Sequence, residues 1–298
     1  MEGDPFGLIE SMMVAGYTVG ASKGYIYLRS EYPLTHTILA RALATARDAG
    51  WLGKNIQDSG FDFDIELHLG AGSYVCGEET AMLESLEGKK GIVRYKPPLP
   101  AIEGLFGKPT VVNNVVTLAS VPNIVNLGGD RYAGMGVKRS KGTLAFQLGG
   151  NVKRGGLVEK SFGITLRELV EGYGGGTASG RPVKAVQVGG PLGAYLSAGQ
   201  LDTPMDYEAF KEIDAMIGHG GIVVFDDTAD MAQQARFAME FCAIESCGKC
   251  TPCREGNYWM QHLSERVHHG QADQEDVELL HSVASQMQNK CLCALGEF

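Results

Sequence analysis

The stretch "ESCGKCTPCREG", residues 245–256, carries a cysteine at every third position: Cys247, Cys250 and Cys253. Thiols spaced this tightly converge, so the chain around them has to fold to serve a common centre. Three chemistries use such a run. A structural zinc site usually joins one Cys-x2-Cys pair to a second pair far along the chain. A reversible dithiol needs only two of the sulfurs. A Cys-x2-Cys-x2-Cys run is the pattern that caps three irons of a cubane [4Fe–4S] cluster, the fourth thiolate coming from elsewhere. "CLCALGEF" holds two candidates for that fourth ligand, Cys291 and Cys293. Pro252 stiffens the loop, Gly248 and Gly256 allow tight backbone near inorganic sulfide, and Lys249 and Arg254 can offset anionic charge. The spacing favours the iron–sulfur centre, with zinc and the dithiol open beside it. Cys242 suits an apolar helix stripe, and Cys76 reads as a small buried apolar side chain.

Charge narrows the partners. Lys and Arg total 26 against 35 Asp and Glu, a net charge of -9, which argues against nucleic acid because phosphate contacts need clustered cations. Apolar runs such as "GIVVF" are too short to span a bilayer, so no direct membrane insertion is expected. The opening "MEGDPFG" has neither the basic nor the apolar region of a signal peptide, and a cytoplasmic location is expected. In that reducing compartment clustered cysteines serve as ligands or redox groups rather than structural disulfides. A chain of 298 residues has room for two or three domains.

Residues 5–20 read as a helix, "GYIYL" as a strand, and residues 33–49 as a second helix that starts on Pro33 and stops at Gly50. "FDIELHL" alternates strictly, with Phe63, Ile65, Leu67 and Leu69 on one face, as a half-buried strand does. Alternating strand and helix predict an α/β domain with parallel pairing over residues 1–137. Over residues 138–226, "TLAFQLGG", "GGLVEKS" and "VKAVQVGG" are strands around a short helix, "TLRELVEGYGGG", capped by Thr165 and Glu168. That pattern suggests a compact β-grasp (ubiquitin-like) unit. Residues 227–298 read as a helical bundle. Its expected stripes are Met231, Ala235, Met239 and Cys242, then Trp259, Leu263 and Val267, then Val277, Leu280, Ala284 and Met287 behind a cap at Asp273. The cysteine run falls in its first connection.

"LGAGSYVCGEET" is a strand end, a glycine turn and a helix start, a common place for a ligand. Its glycines, 70, 72 and 77, do not make the G-x-G-x-x-G fingerprint. Glu78 and Glu79 fall in the first helical turn. They either compensate the helix dipole or accept hydrogen bonds from ribose hydroxyls or an amide. Downstream, "RYKPPLPAIEGLFGKPTVVNNVVTLAS" follows an extended path. Lys96 could pair with a phosphate, and the amides of Asn113 and Asn114 can bond a flat heterocycle; the plainer reading is a proline-rich crossover loop with capping asparagines.

Taken in order, "GAGSYVCGEETAMLESLEG", "KPPLPAIEGLFGKPTVVNNVVTLAS", "ESCGKCTPCREG" and "CALGEF" resemble the family of NADH-binding flavoprotein subunits of respiratory complex I. "LVEGYGGGTASGRP" and "GGIVVFDDTADMAQQARFAMEFCAIESCGKCTPCREG" look closest to its branch in NAD-dependent formate dehydrogenase, the beta subunit. The resemblance implies a noncovalent FMN that takes a hydride from NADH and passes electrons singly to a [4Fe–4S] cluster. It implies that Tyr74, Gly77, Glu78, Glu79, Lys96, Asn113 and Asn114 line the flavin and nicotinamide site, and that Cys247, Cys250, Cys253 and Cys293 hold the cluster. The chemistry is borne by the cofactors FMN, NAD and [4Fe–4S], so no catalytic side chain is required. It implies as partners a small [2Fe–2S] subunit of thioredoxin-like fold and a molybdenum or tungsten formate dehydrogenase subunit, or the complex I or hydrogenase equivalents.

The family's glycine-rich flavin loop and acidic segment lie upstream of everything quoted, and its usual last helix follows the fourth cysteine. The chain is therefore expected to be truncated at both ends. Leu99 stands where many relatives carry Phe, which is expected to weaken one stacking wall. The alternative expectation is a non-catalytic iron–sulfur electron-transfer or assembly module without flavin, and a third is a zinc-binding interaction protein.

Overall fold

A computed structural model describes residues 1–297. The chain forms two compact units, Met1–Gly128 and the remainder from Gly129.

In the first unit, helix α1 (Pro5–Val19) begins where the Asp4 carboxylate accepts the Gly7 N–H at 2.8 Å and ends at Gly20, whose φ of 73° favours glycine. Strand β1 (Lys23–Leu28), helix α2 (Pro33–Asp48) and strand β2 (Asp64–Leu69) make a βαβ crossover, with β1 and β2 parallel from Lys23 opposite Asp64 to Leu28 opposite Leu69. Leu8 and Ile9 of α1, Leu39 and Leu43 of α2, Ile26, Leu28, Phe63 and Ile65 form one buried cluster. The expected alternation in β2 holds at Phe63 and Ile65 and fails at Leu69, which is exposed where the strand runs out. A 3₁₀ turn (Tyr74–Gly77) leads into helix α3 (Glu79–Leu86). The proline segment then runs to helix α4 (Val115–Leu127), which packs on α1. The plainer reading of the asparagines, as caps, holds for Asn114, which starts this helix.

The second unit opens with a short helix, α5 (Gly129–Ala133), and a two-residue hairpin, β3 (Gly136–Val137) with β4 (Ser140–Lys141). Strands β5 (Thr143–Gly150), β6 (Gly156–Ser161), β7 (Val183–Val188), β8 (Ala194–Ser197) and β9 (Gly221–Asp226) form one mixed sheet in the order β6-β5-β9-β7-β8. The central pair, β5 and β9, is parallel, and every other pair is antiparallel. A helical segment and the short helix α6 (Tyr207–Glu212) supply Leu166, Leu169, Val170 and Phe210 to a core with Phe146, Val186, Val188 and Val224. The capping box forms as expected, with Thr165 N–H on Glu168 at 3.0 Å and Glu168 N–H on Thr165 at 3.1 Å. The helix it starts is of π type over Glu168–Tyr173, and the Gly174 N–H reaches back five residues to the Leu169 carbonyl at 2.9 Å.

Three longer helices complete this unit: α7 (Met231–Glu245), α8 (Thr251–His268) and α9 (Gln274–Met287), with α8 packed between the other two. Asp273 caps α9, as expected. The expected face of α8 is rotated, and those of α7 and α9 each miss at one position, Ala235 and Val277, which are exposed. Trp259 and Val267 are exposed; the buried face of α8 is Cys253, Gly256, Asn257, Met260, Leu263 and Ser264. Two polar residues on that face hid it from a reading based on hydrophobic period. On α7 only Cys242 is buried, and Ala235 is exposed. No helix among the described residues is long and apolar enough to cross a membrane.

Candidate functional site

The parallel strands β1 and β2 end together, at Leu28 and Leu69, and the glycine turn starts there. Ligands of parallel sheets gather beyond such carboxyl ends. The turn lies tight on β1: a Cβ on Gly70 would sit 2.8 Å from the Tyr27 hydroxyl oxygen, and Gly72 adopts φ 93°. Tyr27 is fixed by a 2.9 Å hydrogen bond to Ser85 and by stacking on His68. Gly77 faces open space where a Cβ would stand, so its backbone presents a bare surface on which a flat ring can lie.

Glu78 is the N-cap of α3. One of its oxygens, Oε2, accepts the Thr80 N–H at 2.8 Å, the Ala81 N–H at 2.9 Å and the Thr80 hydroxyl at 2.6 Å. Lys96 reaches back from the proline segment to bridge Glu78 Oε1 at 3.1 Å and Glu79 Oε1 at 2.9 Å. Burial pushes the Glu78 carboxyl up, but the Thr80 hydroxyl, the Ala81 N–H and Lys96 outweigh it and hold the group below its ordinary range. The Lys96 ammonium is pushed up, chiefly by its hydrogen bond to Glu79. Glu78 caps the helix, and Glu79 Oε2 accepts no hydrogen bond from a described residue. Lys96, expected to be a phosphate partner, here serves carboxylates. The site is acidic with one cation, which suits hydroxyl and amide donors better than a bare phosphate.

Asn114 Oδ1 accepts the Val116 N–H at 2.8 Å, so the capping reading holds for it. Asn113 is exposed, and its side chain bonds no described residue. No hydrogen bond joins either asparagine to Glu78, Glu79 or Lys96 among the described residues. Tyr74 lies in the 3₁₀ turn ahead of Gly77. Sequence reasoning missed Thr80, whose hydroxyl also accepts the Arg94 N–H at 2.8 Å and so ties the carboxylate turn to the extended segment that carries Lys96. A hydroxyl residue two positions after the capping glutamate was its signal.

In the second unit the cysteine run does not lie wholly in the connection between α7 and α8, as expected: Cys247 lies there, Cys250 is the N-cap of α8, and Cys253 is in its first turn. Gly248 takes φ 78°, as a tight loop needs, while Gly256 answers to helix packing: its Cβ would meet Met287 Sδ at 2.3 Å. The chain returns after α9 and brings Cys291 and Cys293 to the run. The Leu292 N–H donates to Cys250 Sγ at 3.3 Å, and Cys293 lies within electrostatic reach of Cys247, Cys250 and Cys253. Cys291 is close to Cys250 and Cys253 but sets its own Sγ on the Met287 carbonyl, 3.6 Å away. Gly296 is compressed among them; its Cβ would stand 2.6 Å from Cys291 Sγ and 2.9 Å from Cys253 Cβ. None of the seven cysteines is in a disulfide. Burial pushes the thiols of Cys253 and Cys293 up, that of Cys291 up to about 12 and that of Cys242 up to about 11. A metal centre reverses this, because a coordinating thiol is deprotonated outright. No three His, Cys, Asp or Glu side chains among the described residues are placed to hold a single metal ion. Thiolates on different irons of a cubane are spaced more widely than ligands of one ion, and cysteine thiols are the donors such a cluster takes.

Two family models match the chain. Residues 1–123 match the Nuo51 FMN-binding domain, and residues 233–298 match the NADH-ubiquinone oxidoreductase-F iron-sulfur binding region. A Rhizobium meliloti protein, the F 2 subunit of NADH-quinone oxidoreductase, is 45% identical over 297 residues, which cover 100% of this chain and 70% of that protein. The chain belongs to the NADH-quinone oxidoreductase F family. Similar to it as well is the NADP-reducing hydrogenase subunit HndC of Solidesulfovibrio fructosivorans, also 45% identical, across 100% of this chain and 61% of its own length. A crystal structure of an NAD+-reducing [NiFe]-hydrogenase in the H2-reduced state contains a chain with TM-score 0.88 and 36% identity, matched over 98% of this chain and 48% of that one. This chain thus spans between 48% and 70% of the length of these relatives. Its FMN-binding region holds the acidic turn, and its iron–sulfur binding region holds the converging thiols.

Proposed function

We propose that the chain is the NADH-oxidising electron-transfer part of a complex I-like or hydrogenase-like assembly, binding NADH, FMN and one [4Fe–4S] cluster. One observation carries the reading: the chain returning after α9 meets the cysteine run, where the Leu292 N–H donates to Cys250 Sγ at 3.3 Å and a Cβ on Gly296 would stand 2.9 Å from Cys253 Cβ, so that Cys293 arrives beside Cys247, Cys250 and Cys253. Cys247, Cys250, Cys253 and Cys293 are the proposed cluster ligands. Gly77 offers the flavin its bare backbone face, and Tyr74 flanks that face. Glu79 and Glu78 orient a ribose hydroxyl or amide, Lys96 holds the two carboxylates in place, and Asn113 and Asn114 supply amide groups to the heterocycle. The bound flavin supplies hydride acceptance and single-electron release; the protein's part is to bind, orient and exclude water.

The reading divides the chain into a flavin and NADH domain over residues 1–137, a β-grasp domain over residues 138–226 and a cluster domain over residues 227–298. The β-grasp assignment is supported by a parallel central pair made of the first and last strands of the sheet, flanked by antiparallel neighbours. A cytoplasmic setting belongs to it, since free clustered thiols need a reducing compartment. The proposed partners are a small [2Fe–2S] subunit of thioredoxin-like fold and a catalytic subunit. Hydrogenase and quinone-oxidoreductase settings follow from the names of the relatives; the molybdenum or tungsten formate dehydrogenase setting rests on the motif resemblance.

The test is anaerobic reconstitution of the chain with FMN, iron and sulfide, followed by NADH. Bleaching of the flavin band and appearance of a reduced-cluster EPR signal are expected. A cluster that dithionite reduces, in a chain that binds no flavin, would replace this reading with that of an electron-transfer or assembly module.

A further inference from the structure

Cys253 and Asn257 stand four residues apart on the buried face of α8, one helical turn from each other. Asn257 is 3% exposed, and its Nδ2 lies 3.1 Å from Cys253 Sγ. That amide nitrogen donates to no other described residue. A metal-bound thiolate only accepts, so the side chain has to present its nitrogen, not its oxygen, to the sulfur. Ser246 aims a hydroxyl at the same sulfur from 3.3 Å, and the hydroxyl is oriented by accepting the Gly248 N–H at 3.3 Å. Among the described residues, Cys250 and Cys293 receive backbone N–H groups, from Leu292 and Leu295, and no side-chain donor is seen on Cys247. Among the same residues the side-chain donors to these sulfurs meet on Cys253, which is itself 6% exposed.

We propose that Asn257, seconded by Ser246, raises the reduction potential of the iron–sulfur centre by donating a hydrogen bond to the Cys253 sulfur. The inference rests on the cluster assignment above. A donor on the thiolate withdraws electron density and favours the more negative, reduced cluster, and burial strengthens the effect by lowering the local dielectric. Asn257 is a positioning residue: it touches the ligand and not the irons.

The experiment is an EPR-monitored redox titration of the cluster-loaded chain and of three variants. Asn257→Leu keeps the shape and removes the donor, Asn257→Asp replaces it with an acceptor, and Ser246→Ala removes the second donor. A lower midpoint potential is expected in all three, lowest for Asn257→Asp, with iron and sulfide content unchanged in Asn257→Leu and Ser246→Ala. Unchanged potentials in loaded variants overturn the inference. Should Asn257→Leu lose its cluster, the wild-type chain decides: with asparagine carrying the heavy nitrogen isotope in its side chain, pulsed EPR should detect coupling to the reduced cluster, and absence of that coupling overturns the inference. Absence of any [4Fe–4S] signal in the wild type sinks the cluster reading itself, a different failure from a loaded cluster whose potential does not move.

Discussion

Glu87 sits where three donors meet. Lys89 is 2.7 Å from one of its oxygens, and Arg94 at 2.9 Å and the Phe106 N–H at 2.8 Å share the other. Burial raises the carboxyl, but the three donors outweigh it and hold the group at about 2. A depressed carboxylate contributes stability that is fully present above its unfolded value of 4.5 and is lost as pH falls toward about 2. The melting temperature of the wild type should therefore fall through that window. Glu87→Gln should have a lower Tm near neutrality and a shallower acid limb by circular dichroism; parallel limbs would refute this. In the sequence these residues are scattered charges. Their partnership needs the proline segment to fold back over α3, which no local pattern encodes. The same holds for Lys96 and the Glu78–Glu79 pair, whereas the cap at Asp273 was readable because a cap and the N–H groups it satisfies lie within three residues.

At the scale of elements, Gly150 closes β5 with φ 78°, and a Cβ there would stand 2.4 Å from the Val224 carbonyl oxygen and 2.8 Å from its nitrogen. Those are atoms of the neighbouring strand's backbone and cannot swing aside. Gly150→Ala should cost about 2–4 kcal/mol, from left-handed strain plus overpacking. Gly180→Ala, with φ 73° and nothing within 4 Å of its Cβ, should cost only about 1 kcal/mol. Urea unfolding of the two variants measures the difference, and equal losses would mean that close approach to β9 is unimportant. Strand alternation and helix caps made most elements legible. The face of α8 was misjudged because Asn257 and Ser264 are polar and buried, and the π form of Glu168–Tyr173 left no mark on composition.

Considered whole, the molecule distributes its core unevenly. Its two large apolar clusters lie within residues 8–65 and 144–224, and neither includes a residue of α7, α8 or α9. Those helices bury Cys242, Cys253, Met260, Leu263 and Met287, too little to hold three helices by apolar burial alone. A metal centre supplies what such a region lacks, because binding free energy becomes folding free energy. Stripping the cluster should increase amide hydrogen exchange across Met231–Glu245, Thr251–His268 and Gln274–Met287 and leave β5, β7 and β9 protected. Uniform exchange in both forms would show that the helices stand without it.

The sequence by itself determined what depends on near neighbours: the close spacing of three thiols, the caps at Thr165 and Asp273, and the two-residue period of the strands. These interactions act over one turn or one pleat, so local order is enough to encode them. The tertiary structure alone decided which distant groups meet: Lys96 on the two carboxylates, the Cys291–Cys293 segment returning to the cysteine run, and Asn257 beneath Cys253. Such pairings are selected by burial and by the need to satisfy every buried polar group at once, a condition on the folded chain and not on any segment of it.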